Sequence, residues 1–213
     1  MNKITFKLLL ATILLVGVTV KAQTHLFEHP DFETIAKDHK TIAIIPFSAK
    51  VSLRPKQMKE ITPEQLKEME IGEGQSIQTA MYSWFLKRKK RGKLLINVQD
   101  PNKTNAILKK NEIDMEITTP EELAKLLKVD AVITGKFETD KPMSEGASIA
   151  LGFLVGFWGT TNSATINMSI HNAKDGMLLW NYNKRVIGSL GSSNDQLINK
   201  LMRKASRRLA YTK

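Results

Sequence analysis

The strongest constraint on the fold is an alternating pattern over residues 164–182, which predicts a β-hairpin. Apolar side chains occupy every second position of two runs, with polar side chains between most of them: Ile166, Met168, Ile170, Leu178, Trp180 and Tyr182. Asp175-Gly176 supplies a turn between the runs, as in short hairpin loops. Because one face of such a hairpin is apolar, helices from the rest of the chain must cover it.

The remaining sequence predicts a mixed β-sheet flanked by helices. Apolar and β-branched runs predict strands, and capped or amphipathic runs predict helices: strands at 41–47, 94–98 and 129–137, and helices after Thr62, at 102–110, after Thr119 and at 195–209. The resulting order, β-α-β-α-α-β-β-β-α, is typical of an α/β fold. We therefore expect a single α/β domain at 41–213, after an amino-terminal extension at 23–40.

Two helix starts carry the same local signal. Residues 62–65 (TPEQ) and 119–122 (TPEE) each place a threonine at the cap, a proline at the first helical position and a Gln or Glu at the third. That arrangement is a capping box. Within the first helix, Gly72 and Gly74 predict a break into two helices.

Residues 1–22 predict export. A short stretch with two lysines and no acid precedes an uncharged, mostly apolar run from Leu8 to Val20, and Val20-Lys21-Ala22 supplies the residues that a signal peptidase reads. The apolar run is shorter than the roughly 20 residues of a membrane-spanning helix. We expect a mature chain that begins at Gln23 and works in the periplasm, and peripheral association with the outer membrane stays open.

The chain contains no cysteine. An exported protein without disulfides must be stabilised by core packing, which a chain of 213 residues can provide. The same absence excludes thiol catalysis, cysteine-based metal sites and acylation at a cysteine after the signal peptide.

Basic residues exceed acidic ones by 32 to 21 and are concentrated in two runs. One run is 87–93 and the other covers 200–213. Behind a secretory signal we expect no nucleic-acid partner, so the available anions are lipid headgroups, lipopolysaccharide phosphates and acidic proteins. The runs are either solvated helix faces or a surface for an anionic partner, for which the candidate residues are Lys87, Arg88, Arg91, Lys200, Arg203 and Arg207.

An uncharged apolar segment interrupts the pattern at residues 147–158 (ASIALGFLVGFW). Runs of this length are core segments, interfacial pieces or re-entrant segments more often than membrane spans. Three interpretations stay open: packing on the domain itself, contact with a partner or a second copy, and contact with a membrane. The candidate binding residues are its large side chains: Leu151, Phe153, Leu154, Phe157 and Trp158.

No motif in the sequence predicts catalysis, a cofactor or a metal site. His25 and His29 lack metal-ligand spacing and are expected in a flexible polar terminus. Asp130 is interpreted as a turn residue between a helix and a strand. Trp180 and Tyr182 share a strand face and are expected in the core.

Three stretches carry a family resemblance: IAIIPF at 42–47, ELAKLLKVDAVITGKF at 122–137 and HNAKDGMLLWNY at 171–182. Together they resemble the CsgG/LpoB-like superfamily of bacterial envelope assembly proteins, which includes the curli-secretion channel and the penicillin-binding-protein activator lipoproteins. The resemblance covers about residues 40–210 and implies a three-layer α/β domain used for assembly or binding rather than catalysis. The chain departs from those lipoproteins in having no cysteine to acylate, and 147–158 lacks the alternation of a barrel strand.

The sequence thus favours a non-enzymatic envelope protein that acts as a periplasmic binding or assembly factor, in association with an outer-membrane, secretion or cell-wall complex. Its expected partners are envelope proteins, with contact to an anionic membrane surface and self-association left open. One alternative is a membrane-inserted oligomeric pore or ring subunit. A second is an enzyme with a polar site that has no recognisable motif.

Overall fold

A computed structural model describes residues 24–53, 58–139, 163–188 and 193–212. The expected signal peptide and segment 147–158 lie outside these residues. The strands are β1 (Thr24–Glu28), β2 (Thr41–Ile44), β3 (Ser48–Lys50), β4 (Asn97–Val98), β5 (Ala131–Thr139), β6 (Ser163–Asn172) and β7 (Leu178–Ile187). The helices are α1 (Phe32–Ala36), α2 (Pro63–Lys90), α3 (Pro101–Lys110), α4 (Pro120–Leu127) and α5 (Asn194–Ala205).

The strands form one mixed seven-stranded sheet in the order β1-β7-β6-β5-β2-β4, and β3 pairs with β5 beyond the end of β2. Strand β2 pairs parallel with β4 and β5, and β3 pairs parallel with β5. The pairs β5–β6, β6–β7 and β7–β1 are antiparallel. The predicted hairpin is β6–β7. The prediction of an α/β domain with a mixed sheet and flanking helices is therefore confirmed.

Helices cover the two faces of the sheet unequally. On one face, α2 and α5 pack against the apolar side of β2, β5, β6 and β7, and this larger core contains Trp180 and Tyr182. On the other face, α3 and α4 cover Ala43, Ile45 and Val132. Trp180 is fully buried and stacks on Tyr182 with ring centroids 5.7 Å apart, as expected for core residues.

Both capping boxes are present. The Thr62 hydroxyl accepts from the backbone N–H of Gln65 and the Gln65 side chain accepts from the N–H of Thr62, and Thr119 and Glu122 repeat the arrangement. These contacts are local, which is why residues 62–65 and 119–122 predicted the starts of α2 and α4 accurately.

The predicted break at Gly72 and Gly74 is wrong, because α2 runs without interruption from Pro63 to Lys90. Gly74 is needed for packing rather than for a turn. A Cβ atom at this position would lie 2.0 Å from the backbone oxygen of Phe47, and the N–H of Phe47 donates to the Gly74 carbonyl at 3.2 Å. The helix therefore contacts the chain after β2 through a residue without a side chain.

Residues 24–36, which sequence analysis assigned to an extension ahead of the domain, are part of the fold. Strand β1 pairs with β7 over five residues, and Phe32 of α1 is buried against Tyr211 with ring centroids 5.1 Å apart. His25 and His29 were expected in a flexible terminus. His25 instead lies in the edge strand β1, and His29 lies between β1 and the short helix α1.

Candidate functional site

The two basic runs, more than a hundred residues apart in sequence, meet where α2 and α5 end. The two helices pack against each other, and the Arg88 Nε donates to the hydroxyl of Ser206 at 3.4 Å. Burial lowers the pKa of Arg88, and the charges of Arg207 and Arg91 lower it further. The structure thus brings three of the predicted residues into electrostatic contact.

The other predicted cations surround this contact unequally. Lys87 is exposed and its ammonium lies 4.7 Å from the centre of the Trp84 ring, a cation–π distance. Arg203 is exposed one turn before Arg207. Lys200 instead donates to the carbonyl of Ile187 at 3.2 Å. Ile187 is the last residue of β7. We define the basic surface as Lys87, Arg88, Arg91, Arg203 and Arg207.

Within the described part of the chain, no carboxylate neutralises the positive charge of this surface. Among the residues that the structure describes, none of its five side chains forms an ion pair with an Asp or Glu, and the ion pair that is seen joins Lys125 to Glu121 on α4. The carboxyl ends of α2 and α5 favour nearby cations by about 0.3–1 kcal/mol each through the helix dipole. The helix dipole therefore explains a few cations near each helix end. It does not explain why the cations of two helices lie side by side.

The five apolar residues predicted to bind a partner, Leu151, Phe153, Leu154, Phe157 and Trp158, lie outside the described residues. The ends from which their segment leaves the sheet are described: Thr139 closes β5 and Ser163 opens β6. The end of α2 lies near the start of β2, because Lys89 contacts Asn97 of β4.

A second polar feature was not predicted. A cleft of about 530 Å³ opens beside the amino-terminal ends of β2 and β5. Its polar lining contains His39, Asp130, Asn172 and Asp175, and the His39 Nδ1 lies 2.7 Å from the hydroxyl of Tyr211. Because His39 and Tyr211 are separated by 172 positions, no local pattern could have indicated their contact.

The groups around this cleft hold the fold together. One carboxylate oxygen of Asp130 accepts from the backbone N–H groups of Lys40 and Thr41, both at 2.8 Å, which agrees with its interpretation as a turn residue. Burial lowers the pKa of His39 below its ordinary value of 6.5, against the opposing effects of Asp130 and of a hydrogen bond with Asn172. Burial raises the pKa of Tyr211, and Asp130 raises it further. His39 and Tyr211 are thus held neutral.

The position of the cleft also differs from that of most α/β active sites. Ligands in open α/β sheets bind beyond the carboxyl ends of the parallel strands, whereas this cleft is at the opposite edge. Within the described ranges, no group of three or more His, Asp or Glu side chains could hold a metal ion. In the same part of the chain, no helix is both long and apolar enough to cross a bilayer.

No protein-family model matches the chain, and no curated protein sequence is significantly similar to it. Solved structures similar to the chain include the PelC dodecamer from Paraburkholderia phytofirmans, with 11% identity and a TM-score of 0.49 over 88% of this chain and 96% of that one. Lipoprotein GNA1162 from Neisseria meningitidis has 14% identity and a TM-score of 0.46 over 80% of this chain and 98% of that one. The LpoB C-terminal domain from Salmonella enterica has 9% identity and a TM-score of 0.33 over 75% of this chain and 94% of that one. LpoB is a namesake of the superfamily that the sequence resembles, but at TM-scores below 0.5 these similarities assign no function to this chain.

Proposed function

We propose that the protein is a non-enzymatic factor of the bacterial cell envelope that docks onto an anionic membrane surface. The observation that supports this function is the meeting of two basic runs on one surface without carboxylate partners among the described residues. Crowding like charges costs free energy in the isolated protein. A bound anionic partner offsets this repulsion between the cations.

The shape of the basic surface favours an extended anionic partner. Four of its five side chains are exposed, and they project from the ends of two helices rather than into a pocket. Each Lys or Arg near an anionic membrane contributes about 1 kcal/mol. The Trp84 ring beside Lys87 adds an aromatic group of the kind found at membrane interfaces.

The cleft at His39 supports the non-enzymatic part of the proposal. The His39 imidazole and one carboxylate oxygen of Asp130 are occupied in hydrogen bonds that join the start of β2, the start of β5 and the chain near the carboxyl terminus. Because burial lowers the pKa of His39 and raises that of Tyr211, His39 is a weaker base than a free imidazole and Tyr211 is a poor source of phenolate.

A vesicle-binding experiment tests the function. The triple variant Lys87→Glu, Arg91→Glu, Arg207→Glu is compared with the unaltered protein on vesicles of anionic and of zwitterionic phospholipid. We expect the unaltered protein to bind anionic vesicles only. The triple variant loses three attractive charges, so its affinity for these vesicles should be lower by about 100-fold or more. Salt weakens the binding of the unaltered protein, because exposed charges are screened.

The matched control reverses three exposed lysines of α3 instead: Lys103→Glu, Lys109→Glu and Lys110→Glu. It changes the net charge equally and leaves the basic surface intact, so it retains most of the binding. Equal losses in the two variants would show that only the overall charge matters. If the protein binds neither vesicle type and the basic surface captures an acidic envelope protein, the membrane proposal is wrong and the partner is a protein.

The pore and enzyme alternatives make different predictions. A membrane-inserted ring subunit needs detergent for extraction and migrates as a large assembly, whereas a docking protein is released from vesicles by salt. An enzyme that uses the cleft would lose turnover with His39→Asn while binding vesicles normally.

A further inference from the structure

Strand β1 carries two large apolar side chains at the edge of the sheet. It is the last strand on its side within the described residues. Leu26 is 48% exposed and Phe27 is 44% exposed, and as neighbours in a strand they lie on opposite faces. A layer packed on one face could cover only one of them. A strand added at the edge would contact both, because its own side chains alternate in the same way.

The outward backbone groups of β1 are in register for such a strand. The N–H of His29 donates to the carbonyl of Leu179 at 2.9 Å, directly after the β1–β7 pairing. Alternate residues of an antiparallel ladder direct their backbone groups to the same neighbour, so Phe27 also faces β7. The N–H and C=O groups of Leu26 and Glu28 therefore point away from β7, toward the open edge.

The sequence of β1 has little of the usual protection of an edge strand. Exposed edges are normally guarded by charged side chains, above all lysine, or by proline or a bulge. THLFE contains one charged residue, Glu28, and neither lysine nor proline, and its pairing with β7 is regular. Edge strands of this kind pair with other strands.

We propose that β1 pairs antiparallel with β1 of a second copy of this chain, about a two-fold axis at Leu26. Leu26 then lies opposite its own counterpart and Glu28 lies opposite Thr24. The two outward-facing groups of Leu26 form hydrogen bonds across the axis.

Charge complementarity favours a second copy over an unrelated strand. The ammonium of Lys184 contacts the hydroxyl of Thr24. Burial lowers the pKa of Lys184, and the nearby charges of Lys204 and Arg208 lower it further. Glu28 of the second copy would be placed beside this positive group, and the symmetry repeats the contact. With five residues on each side, where standard interfaces use about 20–30, the dimer is expected to be weak and concentration-dependent.

A cross-linking experiment tests the pairing directly, because the full chain has no native cysteine. Cα atoms of a hydrogen-bonded antiparallel pair are about 5.5 Å apart, within the range of about 4.4–6.8 Å that a disulfide spans. We expect Leu26→Cys to form a covalent dimer under mild oxidation. The control Ile117→Cys places a thiol at a side chain that is 79% exposed, far from β1 in sequence, and stays monomeric. Equal cross-linking of the two variants would overturn the proposal.

A second variant separates edge pairing from folding. Leu26→Pro removes an N–H that points away from β7, so it blocks the added strand and keeps the β1–β7 ladder. Sedimentation across a concentration series should show dimers for the unaltered protein and monomers for this variant, with equal circular dichroism spectra. Dimers that persist in Leu26→Pro, or monomers at every concentration of the unaltered protein, would contradict the proposal.

Discussion

His39 connects parts of the chain that are distant in sequence. Its imidazole bonds to Tyr211 near the carboxyl terminus, and the Asp130 carboxylate beside it holds the start of β2 through two backbone N–H groups. Burial keeps the imidazole neutral. The stability of the protein should therefore respond to the protonation of this side chain.

We predict that stability falls as the pH drops below about 6.5 and that His39 contributes to the fall. In the unfolded chain His39 titrates near 6.5, whereas in the native protein its pKa is lower. Between these two values the unfolded state binds a proton that the native state does not, so the free energy of unfolding decreases. Urea denaturation between pH 7.5 and pH 5.5 measures the slope, which should be shallower in His39→Asn. An unchanged slope would show that other groups cause the pH dependence.

At the level of elements, α2 shows how one contact can decide between two interpretations of the same residues. Gly72 and Gly74 are both in the interior of the helix. Apart from the neighbouring backbone of its own helix, no atom of the described residues lies within 4 Å of a Cβ built at Gly72, whereas one at Gly74 would collide with the backbone of Phe47. Only Gly74 is required by its surroundings.

The two glycines should therefore respond in opposite directions to alanine. Gly72→Ala should raise the free energy of unfolding by about 0.5–1 kcal/mol, because glycine disfavours the helix. Gly74→Ala should lower it by about 1–3 kcal/mol, because α2 or the chain at Phe47 must move. Urea denaturation of the two variants measures both changes. A stabilising effect of Gly74→Ala would mean that α2 does not approach Phe47 closely.

Elements with local signals were predicted well, and elements that depend on distant contacts were not. The capping boxes at 62–65 and 119–122 and the alternation at 164–182 lie within the elements that they predict. Strand β1 has only five residues, mostly exposed, and its position depends on β7, about 160 residues later. The predicted strand at 94–98 shortens to Asn97–Val98, at the opposite edge of the sheet.

At the scale of the whole molecule, Arg88 and Thr139 lie toward opposite ends of the strands of the sheet. Arg88 is near the end of α2 that contacts β4, and Thr139 is at the far end of β5. Both basic runs are recognisable in the sequence as candidates. The proximity of Arg88 and Arg207 is not, because it depends on the packing of α2 against α5.

The most direct test of the proposed function is the accessibility of the basic surface in intact envelopes. Arg91→Cys places a single thiol on this surface, and Ile117→Cys places one on a distant exposed loop. Labelling with a water-soluble maleimide is compared between the purified full-length protein and envelopes from the cells that express it. We predict that the thiol at position 91 reacts readily in the purified protein and slowly in envelopes, whereas the thiol at position 117 reacts equally in both. Equal reactivity of position 91 in the two settings would contradict docking through the basic surface.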